Sequence, residues 1–70
     1  MNYNRMLAHF GGLQKTAQAL DTSMQTVHQW KVRGRIPSKW QIKAYRRSGG
    51  ELKPDGATKR FANEVGAPLA

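Results

Sequence analysis

Cysteine is absent from the 70 residues, so neither a disulfide nor a thiolate zinc site can hold this chain together. Stability has to come from a small apolar core. Acidic residues are scarce: Asp21, Glu51, Asp55 and Glu64 stand far apart. Two histidines, His9 and His28, are too few to build a structural metal site by themselves. The sequence offers no nucleophile–base pair, no phosphate-cradling glycine loop and no metal-ligand cluster. An enzyme is therefore not expected, nor is a cofactor, a metal or a small-molecule ligand. No apolar run approaches membrane-spanning length and no signal-peptide pattern opens the chain, which makes a cytoplasmic protein the default expectation. No internal repeat or low-complexity segment is present, and the length suits one domain.

What the chain has in excess is positive charge. Twelve Lys and Arg against four Asp and Glu give a net +8. Solubility does not demand that much of one sign, so a polyanionic partner is indicated, either nucleic acid or an anionic membrane surface. The charge is also unevenly placed. From Thr22 to Gly50 there are seven basic residues and no acidic one.

The pattern predicts a succession of short helices. Met6, Leu7 and Phe10 share one face of a helix over residues 3–10, with Asn2 or Asn4 near its start and Gly11-Gly12 at its end. Leu13, Ala17 and Leu20 make the apolar stripe of a second helix over 13–20. The run Asp21-Thr22-Ser23 interrupts it, and Ser23 or Thr22 suits the N-cap of a third helix over 24–32. In that helix Val27 and Trp30 lie on one side, with Met24, Gln25, His28 and Gln29 towards the other. Gly34 suits its end, and Pro37 opens a fourth helix to Arg47 carrying Trp40, Ile42, Ala44 and Tyr45. The remainder is ambiguous: residues 51–56 can be read as extended and residues 55–65 as a short helix capped by Asp55. Residues 66–70 read as a frayed tail. The core candidates are Met6, Leu7, Phe10, Leu13, Ala17, Leu20, Val27, Trp30, Ile36 and Ile42. His9, beside Phe10, reads as a capping or partly buried structural residue.

Two short helices joined by a three-residue polar turn, the second with small polar side chains outside, describe a helix-turn-helix. Ala17 keeps the first helix thin where the second crosses it, and Val27 and Leu20 fill the wedge between them. The residues His9-Phe10-Gly11, Ala17, Ala19-Leu20, Ser23, Val27, Gln29-Trp30-Lys31 and Ile36-Pro37 resemble the small Cro repressors of lambdoid phages, especially the all-helical ones. They are also similar to related Cro-like antitoxin regulators. The resemblance covers about the first 50 residues and fades after Gly50. It departs at the turn, where Asp21 and Thr22 stand in place of a glycine and an aliphatic residue. Asp21 also brings a negative charge close to the expected DNA-facing surface.

Together these features imply an all-α, compact four- to five-helix bundle. Residues 1–50 form the helix-turn-helix domain, and residues 51–70 a C-terminal extension. The resemblance and the helical geometry imply base contacts from Met24, Gln25, His28 and Gln29. Phosphate contacts are expected from Gln14, Lys15, Lys31, Arg33, Arg35 and Lys39. The implied partner is double-stranded operator DNA, occupied by two copies of the chain that dimerise free or on the DNA. Tyr45, Phe61 and Val65 are candidates for the interface. The implied role is a phage or prophage transcriptional repressor, and the alternative is an antitoxin-like or lysogeny-control regulator with the same module. A non-specific basic DNA coat is a weaker third reading. A membrane-active amphipathic peptide fits poorly, because surface-active helices are long and uninterrupted. Single-strand binding would need exposed aromatics on an open groove, whereas Trp30 falls on the inward side of its helix.

Overall fold

A computed structural model describes residues 1–66. The frayed tail expected at 66–70 lies, from residue 67 onward, outside the described residues. Five helices follow one another: α1 Tyr3–Phe10, α2 Leu13–Ala19, α3 Met24–Arg33, α4 Ser38–Arg47 and α5 Gly56–Glu64. No strand occurs among the described residues. The all-α bundle with a helix-turn-helix is thus the architecture. Residues 51–54 form the loop before α5, and Asp55 caps that helix.

Side chains start three of the helices. Asn2 accepts from the Arg5 N–H, Ser23 from the Thr26 N–H and Asp55 from the Thr58 N–H, each satisfying an otherwise orphaned first-turn donor. Helices α2 and α4 start without a side-chain cap, on Gly12 and Pro37. None of the five has an acidic residue in its first turn.

A single device ends the first four helices. After α1, both Gly11 and Gly12 donate to the Leu7 carbonyl. After α3, Gly34 donates to the Lys31 carbonyl and Arg35 to that of Trp30; after α4, Gly49 donates to Arg46 and Gly50 to Tyr45. These are reversals in which one left-handed residue lets the next N–H reach back across the last turn. After α2 the same pair of bonds runs from Asp21 to Gln18 and from Thr22 to Ala17, at 3.2 and 2.9 Å. There the left-handed residue is Asp21, with φ +54°, the only non-glycine in that region among the described residues.

Met6, Ala17, Leu20, Val27, Trp30, Ile36, Ala44 and Leu52 form one buried cluster, edged by Tyr3, Leu7, Phe10, Leu13 and Trp40. Burying a large apolar side chain fully contributes about 1.5–3 kcal/mol, so a cluster of eight leaves little redundancy. Ile42 is not part of it. Gln41 and Ala44 are the residues of α4 that turn inward, and Ile42 lies about 100° around the helix from Gln41.

Gln41, buried at 2% exposure, joins three segments through one carboxamide. Its Nε2 donates to the Ile36 carbonyl at 2.7 Å and to the Asp55 carboxylate at 3.0 Å. Its Oε1 accepts from the Asp55 N–H at 3.1 Å. Next to it, the buried Thr58 hydroxyl meets Ser38. This polar seam, together with Leu52, fastens residues 51–64 onto the helix-turn-helix. The Gln41 amide, then the Thr58 backbone and hydroxyl, hold the Asp55 carboxyl down at about 2.

Candidate nucleic-acid interface

The interface grows from α3 and from what fixes its rotation. Val27 is fully buried and Trp30 is 3% exposed, so the side of α3 that carries them is sealed against α2 and α4. The Trp30 indole lies 5.4 Å from that of Trp40, centroid to centroid. At about 100° per residue, Gln25 stands almost diametrically opposite the midpoint of Val27 and Trp30. His28 and Gln29 fall within about 60° of Gln25 on either side. All three are exposed, and their side chains bond to no other described residue. Met24, 49% exposed, sits at the flank of this face, about 100° from Gln25. The four residues expected to read bases therefore come together on one helix, with three in the centre and Met24 at the edge.

The basic residues surround this face. Lys31, Arg33 and Arg35 are exposed at the C-terminal end of α3 and just beyond it, where the reversal at Gly34 turns the chain. Lys31 and Arg35 line a cleft of about 330 Å³ with Asn2, Tyr3 and Asn4. The polar start of α1 thus borders these two cations, a neighbour that no spacing in the sequence revealed. Lys39 is carried on Trp40, its ammonium 5.7 Å from the ring centroid, and Lys43 shares that ring at 5.4 Å. Gln14 and Lys15 are exposed in the first turn of α2. The Lys15 stem passes Gly11 so closely that a Cβ there would stand 3.1 Å from its Cδ.

The negative charge of Asp21 is not left facing outward alone. Its carboxylate accepts from Arg47 at 2.9 Å and lies 3.7 Å from the Lys43 ammonium. The pair ties the turn to α4 and uses two cations that a count of basic residues would have assigned to DNA. His9 pairs with Glu51 at 3.3 Å and meets Phe10 edge-on at 4.9 Å, a structural position on the side of α1 and the α4–α5 loop.

The three dimer candidates differ in exposure. Tyr45 is half-buried, with Lys53 above its ring and Gly50 against it. Phe61 is half-buried, and Val65 is 60% exposed at the end of α5. No group of three metal-ligating side chains occurs among the described residues. No helix among them is long and apolar enough to cross a membrane.

A sealed helix that turns Gln25, His28 and Gln29 outward, set among cations and preceded by a tight turn from a partner helix, defines a helix-turn-helix DNA-binding protein. The comparison with known families narrows the class. A family model described as the DNA-binding transcriptional regulator Cro matches residues 3–65, and the chain belongs to that family. Its members are DNA-binding regulators of transcription and not a class of enzyme. No curated protein and no solved structure matches the chain.

Proposed function

We propose that the protein is a phage or prophage repressor that blocks transcription by occupying a pseudo-palindromic operator as a dimer. Helix α3 lies in the major groove with Gln25, His28 and Gln29 towards base edges and Met24 beside them. Glutamine pairs bidentately with adenine, and histidine donates to guanine. Gln14, Lys15, Lys31, Arg33, Arg35 and Lys39 take the phosphates on either side and set the register of the reading helix. The observation that carries this reading is the rotation of α3: burial of Val27 and Trp30 leaves Gln25, His28 and Gln29 outward.

The need for two copies follows from size. A single module of this kind covers too little DNA for tight specific binding, and half-sites one helical turn apart are about 34 Å from each other. The described residues measure 30 × 24 × 18 Å, so two copies on adjacent half-sites come within reach of one another. Tyr45, Phe61 and Val65 are the surfaces proposed to meet. A Phe61→Asp variant with an unchanged dimer constant in sedimentation equilibrium would remove α5 from that role.

Selection from a random duplex library tests the whole reading. A palindromic motif is expected, and enrichment without sequence preference at moderate salt would sink it. Within the selected site, Gln25→Ala should cost about 1–3 kcal/mol and relax one base step. Arg35→Ala should weaken all sequences alike. With six to eight phosphates neutralised per dimer, log K should fall against log salt with a slope of about −5 to −7.

A further inference from the structure

Val32 is 75% exposed, the most exposed of the large apolar side chains among the described residues. It buries little in the free protein and sits inside a helix, where a β-branched residue is a poor helix former. Neither packing nor helix propensity accounts for it. Its position on α3 does: Val32 is seven residues after Gln25, so two turns bring it back to within about 20° of the same direction. It follows His28 by four residues and Gln29 by three, which makes it their neighbour on the outward face. The outward face therefore runs Gln25, then His28 and Gln29, then Val32, over about 10.5 Å of axis. That length spans about three base steps of 3.4 Å.

We infer that Val32 is a specificity-determining residue that reads the 5-methyl group of a pyrimidine, thymine in ordinary DNA, in the major groove. The inference rests on the reading of α3 as the groove helix. The C5-methyl is the one apolar feature on a major-groove base edge, and an apolar side chain is its complement. The surroundings select DNA over an apolar protein partner: Val32 lies between Lys31 and Arg33, with Arg35 beyond and no acidic residue from Thr22 to Gly50. Valine also suits the task better than Met24. Its single preferred rotamer in a helix holds two methyls at a fixed place, whereas methionine turns about three bonds.

The test removes the methyl from either side. Duplexes enriched by the wild-type protein are resynthesised with uracil for thymine one position at a time, a change that deletes only the methyl group. Wild type should lose about three- to ten-fold in affinity at one thymine per half-site, about three base pairs from the step that Gln25→Ala relaxes. Val32→Ala should bind the thymine duplex as weakly as wild type binds the uracil one and show no thymine–uracil difference at that position. Folding is not at risk, because the side chain is exposed and alanine is the better helix former; circular dichroism checks it. A Val32→Ala protein that keeps the wild-type thymine–uracil profile overturns this inference and leaves operator binding standing. If wild type enriches no motif at all, the operator reading falls, and this inference falls with it.

Discussion

Asp55 and Gln41 show how much one polar pair decides in a protein this small. The carboxylate caps α5, accepts from the Gln41 amide, and is held down at about 2 by those bonds. An unfolded aspartate titrates near about 3.9. The folded group is the stronger acid, so its contribution to stability is complete above that range and disappears as pH falls through about 2. Asp55→Asn keeps a cap but not the charge. Thermal melts should show wild type above Asp55→Asn at pH 7 and the gap closing between about pH 4 and pH 2. Gln41→Leu should do more harm. It strands the Ile36 carbonyl and the Asp55 N–H, each at a cost of about 1–3 kcal/mol where water cannot replace the partner, and returns the Asp55 carboxyl towards its ordinary range. Urea unfolding with an NMR titration of Asp55 checks both effects. The Asp55 cap was legible in the sequence, but its bond to Gln41 was not. A glutamine among lysines and arginines reads as surface, and only the docking of α5, fourteen residues on, turns it inward.

At the scale of elements, the sequence was legible wherever a local rule decides the outcome. The caps at Asn2, Ser23 and Asp55 and the glycine endings at Gly11 and Gly34 are such cases, because each depends on two or three adjacent residues. The inward pair Val27 and Trp30 was legible for the same reason, through helical period. Ile42 was misplaced because hydrophobicity alone puts isoleucine inside, while the period of α4 is set by Gln41 and Ala44. The partners of Asp21 were hidden because Lys43 and Arg47 lie more than twenty residues away along the chain. That turn makes a sharp prediction. Asp21 tolerates φ +54° better than alanine would, and its exposed pair with Arg47 contributes a little more. Asp21→Ala should therefore destabilise the protein by about 1–2 kcal/mol. Asp21→Gly should stay within about 0.5 kcal/mol of wild type, because relief of backbone strain offsets the lost ion pair. Parallel denaturant curves decide it, and an alanine variant as stable as the glycine one would refute the role given to the backbone.

The molecule as a whole carries its charge in an unbalanced way that bears on how long it lasts. Five helices begin without an acidic residue in the first turn, in a chain with a net +8. Only α5 has a carboxylate at its start, the Asp55 cap, so the positive ends of α1 to α4 add to the side-chain cations. An anion that settles on this surface binds the folded state better than the unfolded one and raises its stability by mass action. The melting temperature should rise further in sulfate than in chloride of equal ionic strength, and furthest with a stoichiometric operator duplex. Proteolysis in the regime where opening and closing are fast relative to cleavage follows the population of open molecules. Copies on DNA should then be cut far more slowly than copies that are free. Survival under protease therefore follows occupancy, so each addition of operator duplex to a free sample should slow its loss in step with the fraction bound.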